Sequence, residues 1–220
     1  VIRQAGISGN EVRGVGLSGQ MHGLVMLDEA GEVIRPSIIW CDQRTGAETE
    51  EMLRRLPREK WMEITANPPL TGWTAAKILW VKTHEPEHYA RCRHILLPKD
   101  YIRYVLTGQF ATEVSDASGM QLLDVPGRSW SREVLNALEI DENLLGRVYE
   151  SCEVTGKILP EIAAATGLST DTVVVGGAGD NAAAAVGTGV IRDGMAFTTI
   201  GTPAWYSPTA AACAWTLPAE

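Results

Sequence analysis

Cysteine is scarce and dispersed in this chain: Cys41, Cys92, Cys152 and Cys213 stand far apart, with no CxxC pair and no histidines grouped beside them. That spacing argues against a disulfide framework or a metal centre, and a reducing cytoplasm is the simplest setting. No run approaches the roughly 20 continuous apolar residues of a membrane span. Basic clusters are lacking and the net charge is −8, so no nucleic-acid partner is expected. Neither an initiator Met nor a signal-peptide core opens the chain, and there are no internal repeats or low-complexity linkers. Val-Ile-Arg-Gln-Ala-Gly reads instead as the last turn of a helix stopped at Gly6, as if cut from something longer.

What is present suffices for one sizeable domain and a small second lobe: 220 residues, 45% hydrophobic. The organising stretch is 172–189. A β-branched run at 172–175 predicts a buried strand, and Gly176, Gly177 and Gly179 follow, where side chains would block close approach to the backbone. Asp180 then stands at the N-cap position of a helix predicted over 181–186. This places one carboxylate at the carboxyl edge of a sheet, where ligands bind in open α/β folds. Asp180 could equally do no more than cap its helix, but a cap needs only one turn residue and this loop has three glycines.

Before that stretch, 12–17 reads as a buried strand. Residues 24–27 and 33–40 flank the loop Asp-Glu-Ala-Gly-Glu as a hairpin, so the three make an antiparallel meander that should join 172–175 in one mixed sheet. Helices are expected over 47–56, 60–65, 75–83 with Thr74 as cap, 100–106 closed by Gly108, and from Ser129 or Ser131 to Leu138, with another short one at Asp141. A strand is expected over 94–97, a polar loop over 113–119 and a strand over 120–123. An extended 155–159 precedes a helix opened by Pro160 and running to Thr166. Residues 194–200 and 204–206 read as a hairpin pinched at Gly201-Thr202.

Several groups could carry chemistry. His22 projects from a strand end between Gly19 and Gly23, in a loop shaped to approach a ligand, although a lone histidine is more often structural. Trp40 and Asp42 end another strand, where an aromatic face suits a sugar or plugs a core. Gly201-Thr202 offers backbone N–H groups and a hydroxyl to a phosphate oxygen. His84, His88 and His94 read as solvated.

Together, Gly-Gln-Met-His-Gly (19–23), Trp-Cys-Asp-Gln-Arg (40–44), Leu-Pro-Lys-Asp-Tyr (97–101), Ser-Asp-Ala-Ser-Gly (115–119), Gly-Asp-Asn-Ala-Ala (179–183) and Ile-Gly-Thr (200–202) resemble the sugar kinases of the FGGY family in order and spacing. The Met-His pair and the Asp-Asn after glycine favour the branch that acts on D-xylulose. The resemblance implies an α/β, actin-like ATPase or ribonuclease-H-like fold, a mixed sheet flanked by helices, with the active site between two lobes. It implies transfer of the ATP γ-phosphoryl group to the 5-hydroxyl of D-xylulose, with Mg²⁺. Asp180 would be the general base, Met21 and His22 would contact the sugar, Trp40 and Asn181 would line its pocket, and Gly201-Thr202 would hold ATP phosphates. No residue is assigned to a metal, and a homodimer is left open.

Some family features have no counterpart. The Asp-Leu-Gly-Thr phosphate loop of the opening strand and the second, adenosine-holding lobe are not found in the chain, and Pro203 follows Thr202 where a small residue such as serine is usual. The expectation is a first lobe over 1–207, incomplete at its start, with an unassigned tail at 208–220 and no activity when taken alone. Rival readings are a kinase of another pentulose or polyol, a non-catalytic sugar-binding remnant, and an unrelated α/β hydrolase or binding domain.

Overall fold

A parallel ladder joins two segments about 160 residues apart. Gly14–Val15 pairs with Val173–Val175 in the register Gly14↔Val173 and Val15↔Val174. The ladder resumes between Ser18–Gly19 and Ala178–Gly179. The structure, a computed structural model, describes residues 1–199 and 205–208. Between the two stretches of ladder the glycines at 176 and 177 let the chains close up. Gly177 has φ +73°, and a Cβ there would lie 2.1 Å from the Leu17 carbonyl oxygen. Only glycine meets both conditions without strain. Val154–Lys157 flanks Val173–Val175 antiparallel, completing a three-stranded sheet.

The single sheet expected from the meander does not form. Val25–Leu27 leaves this sheet and pairs antiparallel with His94–Leu96. The segment 33–40 contributes only the isolated bridges Leu27↔Val33 and Leu24↔Ile38. Pro36 supplies the reason, since it lacks the N–H that a continuous ladder needs at that point. The loop 113–119 is also corrected. Val114–Ser118 is a short helix, and the Glu113 carboxylate caps it by accepting from the amides of Ser115 (2.8 Å) and Asp116 (2.9 Å). Of the strand expected over 120–123 only Leu123 pairs, in the two-residue strand Leu123–Asp124 against Ser129–Trp130.

Other local readings agree with the fold. Ile2–Ala5 ends at a left-handed Gly6, and Pro160–Thr166 starts at its proline. Ser131 caps Arg132–Leu138 through Val134 N–H (3.3 Å), and Gly108 closes Pro98–Thr107. Trp73, not Thr74, precedes the helix Thr74–His84. Ala196–Thr199 pairs antiparallel with Trp205–Pro208, while Gly201 and Thr202 lie outside the described residues.

The main core sits among Gly46–Arg55, Arg58–Thr65, Thr74–His84 and Arg132–Leu138. Trp61 is fully buried against Met52 and gives its indole N–H to the Leu56 carbonyl (3.1 Å), satisfying the one polar atom the ring brings inside. Ile78, Leu79 and Val81 form the expected buried stripe. His94 is not a solvated surface residue. It is half-buried on its strand and stacked on Phe110 at 3.5 Å between centroids. His88 is half-buried against Glu85 (2.7 Å).

Candidate active site

Two chain crossings meet at the resumed ladder. Ser18–Gly19 leads into Met21 and His22, while Ala178–Gly179 leads into the helix Asp180–Gly187. Asp180 is therefore the first helical residue and Gly179 the cap, one position from the cap expected for Asp180. Its Oδ1 accepts from the adjacent Asn181 N–H (3.1 Å), and no side-chain cap bond forms. The carboxylate is exposed at a helix N-terminus, where the backbone dipole favours negative charge.

Met21 reaches across this junction. A Cβ on Gly179 would lie 2.7 Å from Met21 Cγ, so glycine there is what admits the methionine. His22 has φ +67°, an uncommon backbone state for a bulky residue. Three neighbours hold it. Its Nδ1 lies 2.9 Å from the Gly119 carbonyl oxygen, its ring stacks on Trp73 (4.5 Å, 30°), and its own carbonyl accepts from Lys77 Nζ (2.6 Å). A carbonyl only accepts, so Nδ1 carries the proton and Nε2 is the lone-pair nitrogen of the neutral ring. Burial lowers the His22 pKa; the Gly119 contact opposes this, Lys77 adds to it, and the Asp180 carboxylate is near enough to raise it.

Lys77 is fully buried and also donates to the Gly72 carbonyl (2.6 Å). Burial lowers its pKa to about 8, with the Asp42 carboxylate pulling the other way. Asp42 is paired with Arg44 (2.7 Å), whose guanidinium covers Trp80. Trp40 is 36% exposed and meets this region through its backbone, since a Cβ on Gly72 would stand 2.8 Å from its carbonyl oxygen. Asn181 is half-exposed on the first helical turn beside Asp180. The structure thus brings Met21, His22, Asp180 and Asn181 to one edge, with Trp40 bordering it and Gly201 and Thr202 outside the described residues. Sequence reading missed Trp73 and Lys77. The available signal was a lysine inside the apolar run Ala75-Ala76-Lys77-Ile78-Leu79. Two clefts of about 480 and 530 Å³ lie elsewhere, around Trp130, Glu142 and Arg147.

Residues 1–187 match the N-terminal domain of the FGGY family of carbohydrate kinases. The chain belongs to this family. Its fold is accordingly the actin-like, ribonuclease-H-like lobe of these kinases. This FGGY domain is 43% identical over 196 residues to the xylulose kinase of Escherichia coli (strain K12), covering 89% of the chain and 40% of that protein. The xylulose kinase of Lactococcus lactis subsp. lactis (strain IL1403) is 42% identical over 194 residues, 88% of the chain and 38% of that protein. Among solved structures, a "xyloylose kinase" from Brucella ovis superposes with a TM-score of 0.83 at 39% identity, over 92% of this chain and 42% of that one. The FGGY domain thus spans about 40% of the length of the curated relatives it matches. Among the described residues, no helix is long and apolar enough to cross a membrane.

Proposed function

We propose that these residues form the sugar-side half of a cytoplasmic xylulose kinase, which transfers the γ-phosphoryl group of ATP to the 5-hydroxyl of D-xylulose. The observation that carries this reading is the meeting of Met21, His22 and Asp180 at one ladder, in a family member about 40% identical to xylulose kinases. Asp180 accepts the proton of the attacking hydroxyl as that oxygen bonds to the γ-phosphorus and the bond from phosphorus to the ADP oxygen breaks. His22, held neutral, presents Nε2 as an acceptor for a second sugar hydroxyl, which selects among sugars by hydroxyl placement. Met21 supplies the apolar wall beside Gly179, and Asn181 and Trp40 line the remainder.

ATP brings Mg²⁺ bound mainly by its own phosphates, with one or two protein carboxylates. Among the described residues no group of three His, Cys, Asp or Glu side chains is placed to hold a metal ion by itself. An ATP-coupled assay of a full-length kinase carrying these residues, run on a panel of pentuloses and polyols, tests the reading. D-Xylulose should give the highest kcat/KM. A higher value for another pentulose or a polyol would reassign the substrate, and no turnover with any of them would favour a non-catalytic sugar-binding protein. The 220 residues alone should show no detectable turnover, because positioning and charge stabilisation of the phosphates are most of what a kinase contributes.

A further inference from the structure

Behind the Asp180 junction lies a cluster of charges to which the proposed reaction assigns no role. Lys99, Asp100, Arg103, Glu113 and Asp116 are all at most 3% exposed. Lys99 Nζ lies 3.0 Å from Glu113 Oε1, and Arg103 pairs with Asp100 (2.6 Å) while donating to the Ala111 carbonyl (2.7 Å). Burial raises the pKa of Asp116, whose Oδ2 lies 3.5 Å from the same Lys99 Nζ. Such clusters are poor stabilisers, because desolvation offsets most of the attraction.

What this cluster touches gives it a use. Lys99 Nζ (3.3 Å) and the Arg103 guanidinium both donate to the Gly176 carbonyl, at the start of the glycine loop. At its end, Gly179 N–H donates to Ser115 Oγ (3.0 Å), and that hydroxyl donates to Glu113 Oε1 (2.9 Å). The other amides of the loop go to main chain: Gly176 to Glu153 O (2.9 Å), Gly177 to Ser151 O (2.8 Å) and Ala178 to Leu17 O (2.9 Å). Gly179, the residue immediately before Asp180, is the one whose amide is held by a side chain. A point substitution can therefore release the last link before the carboxylate and leave the rest of the loop paired.

We propose that Ser115 is a positioning residue for Asp180, and that the Lys99–Glu113 ion pair orients its hydroxyl to set where the carboxylate stands. The proposal rests on the reading of Asp180 as the general base. Ser115 is itself buried and acts through the Gly179 amide. Loss of the link lets the first turn of the Asp180 helix shift, and misplacement of a reacting group by about 1 Å costs about 100-fold in rate.

The test uses a full-length kinase carrying these residues, as Ser115→Ala, Ser115→Thr and Asp180→Asn. Kinetics, thermal midpoints and amide hydrogen exchange are measured on each. Ser115→Ala should lower kcat by up to about 100-fold with the sugar KM changed only a few-fold. Exchange should speed up in the peptide containing Gly179 to Asn181 and not in the core helices, and Ser115→Thr, which keeps a hydroxyl, should recover most of the rate. Unchanged kcat and unchanged exchange in Ser115→Ala would overturn the proposal. So would loosening spread equally over the core, or loss of the folded state, either of which would make Ser115 a general stability element. An active Asp180→Asn chain would instead overturn the base assignment, and the exchange data, which need no turnover, keep the two failures apart.

Discussion

The main-chain carbonyl of His22 accepts a 2.6 Å hydrogen bond from Lys77 Nζ, 55 residues further along the chain. The same ammonium bonds the Gly72 carbonyl, so a buried cation holds both the left-handed His22 backbone and the turn that presents Trp73 to its ring. Strained backbone of this kind costs on the order of 1–3 kcal/mol and persists only when its surroundings over-determine it.

Replacing that cation should be felt in binding and in stability. Lys77→Met leaves two carbonyls without their donor, at about 1–3 kcal/mol for buried groups left unsatisfied. The sugar KM should rise about tenfold or more as His22 relaxes, with a smaller change in kcat. Because the folded pKa of about 8 lies below the ordinary 10.5, the unfolded chain binds more protons between those values. The parent should therefore gain stability relative to the methionine variant as pH rises through that window. Denaturant titrations at pH 7.5 and 9.5 check the sign; a parent that loses ground at the higher pH contradicts it.

Sugar affinity should weaken in acid. The folded pKa of His22 lies below its ordinary 6.5, so the neutral ring and its contribution are complete above pH 6.5 and are lost as pH falls through the folded value. A KM measured from pH 5 to 8 should be flat at the upper end and climb below pH 6.5. His22→Gln, with no titrating ring, should lose that climb. A KM that already rises above pH 6.5 would mean that the ring is held charged.

Asp180→Ala should remove the proton acceptor and leave the sugar contacts of Met21 and His22 in place. General base catalysis contributes roughly 10²–10⁴-fold. The expected result is a kcat lowered by about that factor, with sugar binding by calorimetry changed only a few-fold. Full activity in this variant would remove Asp180 from the reaction.

Two glycines of one loop should respond differently to alanine. At Gly177 the new Cβ would meet the Leu17 carbonyl oxygen at 2.1 Å with φ at +73°, so backbone must move, and a loss above about 2 kcal/mol is expected from strain and a broken ladder. At Gly179 the nearest atom is Met21 Cγ at 2.7 Å, part of a flexible side chain that can swing aside. Gly179→Ala should keep most of its stability and raise the sugar KM by displacing Met21. Thermal midpoints together with sugar KM values separate the two effects; a Gly179→Ala chain that melts like Gly177→Ala would place the methionine in the core.

Local signals carried much of this protein. Gly6, Gly108, Pro160 and Ser131 each punctuate a helix where chain chemistry says they should, because caps and stops depend on a few adjacent residues. The glycine turn before Asp180 and the motif series that marks the FGGY family were legible for the same reason. The helix after Glu113 was not, since glutamate is an unusual cap and its two acceptor bonds show only in the folded geometry. Tertiary structure alone decided that Val25–Leu27 would leave the Gly14 sheet for His94–Leu96, and that Lys77 would turn inward. It also decided that the Gly179 amide would find Ser115, 64 residues earlier. A buried lysine or a hydroxyl in a short helix looks the same in sequence whether it faces water or a carbonyl. Its partner is chosen by which distant segments pack together, and that follows from burying the whole core at once.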